Sequence, residues 1–175
     1  MVATRIRRFG DACLRKRARE TSVEAPETRV VLDTLWEILA ADGGVGLAAP
    51  QIDVNQRLVV IRDPGRPEGQ QRLDLVNPVI QKTFGELEPF EEGCLSFPGL
   101  FTDITRPKGV VLTYQTPDQG TEILQLRDSD LLARIILHEV DHLDGVLFID
   151  HLSPLGRWLV GPKLLWIMAR RLIGR

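Results

Sequence analysis

The chain has 175 residues, 43% of them hydrophobic and 26% charged, and a formal net charge of −2. That size and composition suit one globular domain with a real core, and they exclude a disordered chain, a collagen and a disulfide scaffold. No apolar run reaches the roughly 18 residues that a membrane-spanning helix needs.

The charge is unevenly spread: residues 1–19 carry +6, residues 20–150 carry −13 and residues 151–175 carry +5. The two basic ends are expected contacts for an anionic partner. Two cysteines, Cys13 and Cys94, are too few in a chain this long to make a secreted disulfide framework, so a cytoplasmic location is expected. Residues 1–19 are Arg-rich and acid-poor, which superficially suggests a transit peptide.

Asp11 to Arg19 reads as a turn or a short basic helix. A helix should start near Pro26, a residue suited to the first helical position. Val31, Leu35, Ile38 and Leu39 share one of its faces, and Gly43-Gly44 should stop it. Leu58 to Ile61 and Leu73 to Ile80 read as strands around the loop Asp63 to Gly69. Val110 to Tyr114 and Ile123 to Leu126 read as a hairpin around Thr116 to Gly120. Asp128-Ser129-Asp130 supplies an N-cap for a helix holding Leu131, Leu132, Ile135, Ile136 and Leu143. Val146 to Ile149 is a last strand-like run, and Pro162 should interrupt the basic, apolar tail from Ser153 onward. Strands first and a central helix late is an α+β order.

His138-Glu139-Val140-Asp141-His142 is an H-E-x-x-H sequence. On a helix, positions i and i+4 share a face, so both histidines can reach one metal ion, with Glu139 placed to work on a water there. A third ligand must come from elsewhere. His151 lies nine residues beyond His142 without the offsets of a longer zinc motif, and it reads as a surface residue. Residues 152–175 hold no acid. Upstream, Glu92-Gly93-Cys94-Leu95-Ser96 offers a thiolate, a strong ligand for zinc or ferrous iron. Asp141 is either a partner that orients a ligand histidine or a solvated acid, and Arg106 is a candidate partner for Glu92.

A third segment, Gly44 to Gln51, has small residues that let backbone approach a ligand and a Gln51 amide able to donate to an oxyanion. By itself it is an ordinary loop after a helix. Two rival readings stand at this point. A zinc endopeptidase explains H-E-x-x-H but leaves Cys94 and Gln51 idle. A metal-stabilised binding module without turnover gives Glu139 no task.

Together and in this order, the three segments resemble the peptide deformylase family, marked by G-x-G-x-A-A-P-Q, E-G-C-L-S and H-E-x-x-H. The opening Phe9 to Lys16 is similar to the family's N-terminal region, which weakens the transit-peptide reading. The resemblance covers roughly residues 4–155. It implies antiparallel sheets packed around the helix that bears H-E-x-x-H, followed by a C-terminal helix. It implies one catalytic domain over residues 1–152 and a helical tail over 153–175. It implies Cys94, His138 and His142 as metal ligands and Glu139 as general base and acid. Gln51 and the backbone N–H of Leu95 would hold the formyl oxygen, and Val45 and Gly46 would lie along the substrate backbone.

The resemblance further implies hydrolysis of the N-formyl group on the methionine of nascent polypeptides. The metal would be Fe2+, with Zn2+ as an alternative and Ni2+ or Co2+ as substitutes. No DNA partner is expected. Ribosome contact through the basic termini and membrane-surface contact by the tail are the other expectations. Two departures stand out: Phe97 occupies a position where many members carry Val or Ile, and the tail is more apolar than is usual.

Overall fold

A computed structural model of the chain describes residues 5–116, 120–127 and 131–173. Pro26 opens helix α1 (Pro26–Asp42) at its first turn, where the missing N–H costs nothing. Gly43 ends it in the left-handed region, at φ 75°, and donates its N–H to the Leu39 carbonyl. The face carrying Val31, Leu32, Leu35 and Leu39 is buried against Leu47, Leu58, Val60 and Val76 of the sheet.

That sheet has five antiparallel strands in sequential order: β1 (Gly46–Ala48), β2 (Leu58–Arg62), β3 (Arg72–Gly93), β4 (Phe101–Thr116) and β5 (Gly120–Leu126). The expected class is α+β and antiparallel, as observed, but the strands form one continuous sheet. The apolar pattern ends the strand at Ile80, whereas β3 runs on to Gly93 and pairs with β4 from Phe101. The outer stretch is polar and largely exposed, so no apolar run marks it; cross-strand pairing holds it extended. Register shifts between Ile80 and Lys82 and between Phe84 and Leu87 let the long ribbon bend. Residues 117–119 of the expected turn, and the proposed cap at 128–130, lie outside the described residues.

Helix α2 (Leu131–Leu143) is the central element, with ten of its residues buried. Leu132, Ile136, Val140 and Leu143 pack on Val59, Ile61, Leu75 and Leu112. Burial on nearly all sides makes α2 a fixed platform, so functional groups carried on it are set by the core.

Two expectations are corrected. Val146–Ile149 is not a strand. Phe148–His151 forms a 3-10 turn, held by the Leu147 N–H donating to the Asp150 carboxylate at 2.9 Å. Its apolar residues fill a core cluster with Phe97 and Leu14, and a short apolar run by itself does not distinguish a strand from a buried turn. Pro162 does not interrupt the tail: helix α3 (Pro154–Ile173) runs through it. Pro162 and Trp158, whose carbonyl loses its i+4 donor, both lie on the exposed side, where water can take the bond. The opposite side of α3 buries Ile167 in the cluster with Phe97 and Phe148.

Candidate metal centre

α2 presents His138 and His142 one turn apart, with ring centroids 5.1 Å from each other. β3 ends at Gly93, and the chain turns at once, the Phe97 N–H donating to the Cys94 carbonyl at 2.8 Å. This turn swings the Cys94 thiol onto α2, 3.2 Å from His142 Nε2. One ligand atom from each of Cys94, His138 and His142 lies within 4.8 Å of the others. The predicted trio is thus assembled by a strand end and a helix face that are 44 residues apart in sequence, counted from Cys94 to His138.

A sulfur and two imidazole nitrogens form the donor set of a three-ligand metal site with an open position. The carboxylate beside it supports the fit: Glu139 is buried, and its Oε2 has no hydrogen-bond partner among the described residues. A buried, unpaired carboxylate oxygen demands a cation or a water. The donor chemistry and this orphaned oxygen both suit one metal ion.

The surrounding charges favour a cation as well. His138 is buried, which by itself would lower its pKa, but bonds to Cys94 and Glu92 outweigh this and raise it to about 10. The same negative surroundings suit a divalent ion, whose arrival displaces that proton. His142 is pushed well below the ordinary histidine value by burial and by the His138 charge, so it stays neutral, as a ligand must. Burial pushes the Glu139 carboxyl up to about 7, with Glu92 and Asp141 adding to the rise against the pull of His138 and Arg106. A carboxyl of that affinity can both take and return a proton near neutrality.

The histidine orienter is Glu92, not Asp141. Glu92 Oε2 meets His138 Nδ1 at 2.9 Å, while Arg106 bonds both carboxylate oxygens at 2.7 and 3.1 Å. Arg134 adds a third anchor to Glu92 Oε1 at 2.8 Å. Burial would raise the Glu92 carboxyl, but His138 and Arg106 together hold it at about 2. Asp141 touches neither ligand; it binds Arg106 and His151, each at 2.8 Å. Asp141 is thus neither an orienter of a ligand histidine nor a free solvated acid, since it is held in these two pairs. The Glu92–Arg106 pair is buried rather than superficial, and His151 caps this chain of charges from a partly exposed position.

Gln51 is fully buried and aimed at the site. The Ala48 N–H donates to its Oε1 at 2.8 Å, which turns the amide NH2 towards Ser96 Oγ at 3.1 Å and Cys94 Sγ at 3.5 Å. Gly46 and Val45 line the same cleft as Leu95, with Val45 half exposed and Gly46 packed against Glu139. The cleft has a volume of about 700 Å3, and Glu139 and His138 form part of its wall. Phe97 is wholly buried and lines it too, stacked edge-on against Phe148 at 5.0 Å. Sequence reasoning missed Arg134 and Ile6, which reach the cleft from distant segments without a motif to announce them, and it gave no role to Ser96, whose hydroxyl meets the Gln51 amide.

Comparison with known proteins agrees with this constellation. The polypeptide deformylase family profile matches residues 3–158. A peptide deformylase from Picosynechococcus sp. is 42% identical over 146 residues, covering 83% of this chain and 76% of that protein. One from Fusobacterium nucleatum is 39% identical, covering 91% of this chain and 90% of that protein. Among solved structures, a Synechococcus elongatus peptide deformylase in complex with actinonin superposes with a TM-score of 0.83 at 37% identity, covering 91% of this chain and 86% of that one. By the match over most of its length and the identity to these relatives, the chain belongs to the polypeptide deformylase family.

Proposed function

We propose that the protein hydrolyses the formyl group from the N-terminal formylmethionine of nascent polypeptides and releases formate, with Cys94, His138 and His142 holding one divalent cation. The observation that carries this reading is the meeting of Cys94 and His138, two of the three grouped ligands, with Glu139 and Gln51 in one cleft, within a chain of the deformylase family. The endopeptidase reading gives neither Cys94 nor Gln51 a task.

When bound, the cation supplies Lewis acidity and lowers the pKa of a water. Glu139 accepts a proton from the attacking water and returns it to the departing amine, so formate and a free N-terminus result. The Gln51 amide and the Leu95 N–H donate to the formyl oxygen as it gains negative charge. The Ala48 N–H fixes the Gln51 amide in advance, so its donor need not reorganise during the reaction. Val45 and Gly46 border the substrate backbone. Catalysis is assigned to residues 1–152, with 153–175 as a tail. The thiolate and two imidazoles suit ferrous iron and zinc; Fe2+ is the proposed native ion, with Ni2+ or Co2+ as substitutes.

Of the partners expected from charge, the ribosome has less free charge to meet than the sequence suggests. Arg7, Arg15 and Arg17 of the N-terminal segment face Asp53, Asp150 and Asp144.

The test is formate release from a formyl-Met-Ala-Ser peptide by protein purified without oxygen. Glu139→Gln is expected to lower turnover about 100- to 10,000-fold, and loss of the Gln51 donor in Gln51→Ala about 100- to 1,000-fold. Metal-loaded protein that releases no formate, or that cuts internal peptide bonds instead, would overturn the proposal.

A further inference from the structure

Helix α3 turns its apolar side outward. At 100° per residue, Leu155, Trp158, Leu159, Leu165 and Trp166 fall within an arc of about 120°. Their exposure runs from 41% to 74%. Between Pro154 and Arg171 the other positions on that arc are Pro162 and Ala169, so no polar residue interrupts it. The reverse side is already satisfied, with Val160, Leu164 and Ile167 packed in the core with Phe97 and Phe148. The outward face is therefore surplus to folding and large for an isolated soluble domain.

Cations border the stripe. Lys163 and Arg170 each lie 4.5 Å from the Trp166 ring, one on either side of it in sequence. Arg157 turns away from the stripe, donating to the Leu152 and Asp150 carbonyls. Residues 151–175 contain five Lys/Arg and no Asp or Glu. No helix among the described residues is long and apolar enough to cross a membrane.

We propose that the outward face of α3 docks on an anionic lipid bilayer surface. Its apolar stripe would enter the boundary between headgroups and acyl chains, while Lys163 and Arg170 meet lipid phosphates. The combination decides the occupant. A purely apolar groove would leave the bordering cations without partners. A nucleic acid would meet the cations but leave five large apolar side chains against water. A second copy stacked through the same face would bring two acid-free basic helices together. A bilayer surface that is anionic outside and apolar beneath satisfies both parts, with Trp158 and Trp166 placed where indole rings prefer to sit.

The experiment uses the full chain with vesicles of phosphatidylglycerol and phosphatidylcholine mixed in equal parts, against vesicles of phosphatidylcholine alone. Flotation is expected with the anionic vesicles and to be lost in high salt or on neutral vesicles. The indole emission should shift to the blue on binding, and Trp158→Phe with Trp166→Phe should remove the shift, because Trp36 is bonded to Asp74 at a distant site. Lys163→Ala and Arg170→Ala should each weaken binding about fivefold. Trp158→Glu with Leu165→Glu should abolish it, with formate release and the melting temperature unchanged. The proposal is overturned by equal binding to neutral vesicles, by no binding to anionic ones, by a dimer in sedimentation that Leu165→Glu dissolves, or by tighter binding to RNA than to anionic vesicles.

Discussion

Position 46 must be glycine because of what stands opposite it. A Cβ there would come within 2.5 Å of Glu139 Oε1 and 2.9 Å of its Cδ. Gly46→Ala is therefore expected to displace the proton-carrying carboxylate while leaving the fold in place. Formate turnover should fall about 100-fold, as a misplacement near 1 Å costs, with a melting temperature close to that of the parent. Turnover within twofold of the parent would mean that Glu139 can move without loss. The two cysteines make a second contrast at this scale. Burial, reinforced by Asp53 and Asp11, pushes the Cys13 thiol up to about 11. The thiolate is the nucleophile, so Cys13 should resist iodoacetamide at pH 8 over the time in which a free cysteine peptide is consumed. Mass mapping of the alkylated peptide checks this, and rapid modification of Cys13 would contradict it.

At the scale of elements, the site is a junction between the end of β3 and the face of α2, and Glu92 joins them. It orients His138 from β3 while two arginines, Arg106 of β4 and Arg134 of α2, hold its carboxylate. Glu92→Gln should weaken metal affinity about 10- to 100-fold, measured by competition with a chelating dye. It should also lower stability in urea unfolding by about 1–3 kcal/mol, because the buried Arg106 is left with Asp141 alone and the partly buried Arg134 loses its carboxylate partner. Unchanged affinity would show that His138 is oriented by the core alone. This junction also marks how far the sequence was legible. H-E-x-x-H has helical periodicity, so its ligand face could be read directly, and the motif around Cys94 supplied the third ligand. Glu92 belongs to the same motif, but nothing in the linear order says that its side chain turns to His138 rather than to solvent. The outer half of β3 was hidden for a similar reason: its strand character comes from its partner, not from its own polar sequence. Val146–Ile149 erred the other way, since its apolar residues fill the core from a turn.

At the scale of the whole molecule, the segment around residues 10–15 is tied to the C-terminal elements. Arg15, near the N-terminus, forms a two-pronged pair with Asp150, and Arg171 of α3 binds Asp11 and the Gly10 carbonyl. Burial would raise the Asp150 carboxyl, but Arg15 and the Leu147 N–H hold it below its ordinary value of 3.8. A carboxyl lowered on folding adds stability that is fully present above the unfolded value and lost as pH falls through the folded one. The urea midpoints of the parent and Asp150→Asn should thus differ at pH 7, by a modest amount because the pair is partly exposed, and converge as the pH falls below the ordinary carboxyl value of 3.8 and through the lowered one. A gap that stays constant across this range would assign the stability to packing instead. The basic termini were legible as charge but not as structure, since the acids that answer them lie more than 40 residues away in sequence, as Asp53 does from Arg7. One measurement tests the central claim most directly: metal-free protein is titrated with Fe2+ under anaerobic conditions while formate release is recorded in parallel with bound metal, for the parent and for Cys94→Ala. The account predicts that activity rises linearly and breaks at one equivalent, and that the variant neither retains the ion nor turns over. Full activity in the metal-free protein, or an unaltered titration in Cys94→Ala, would contradict it.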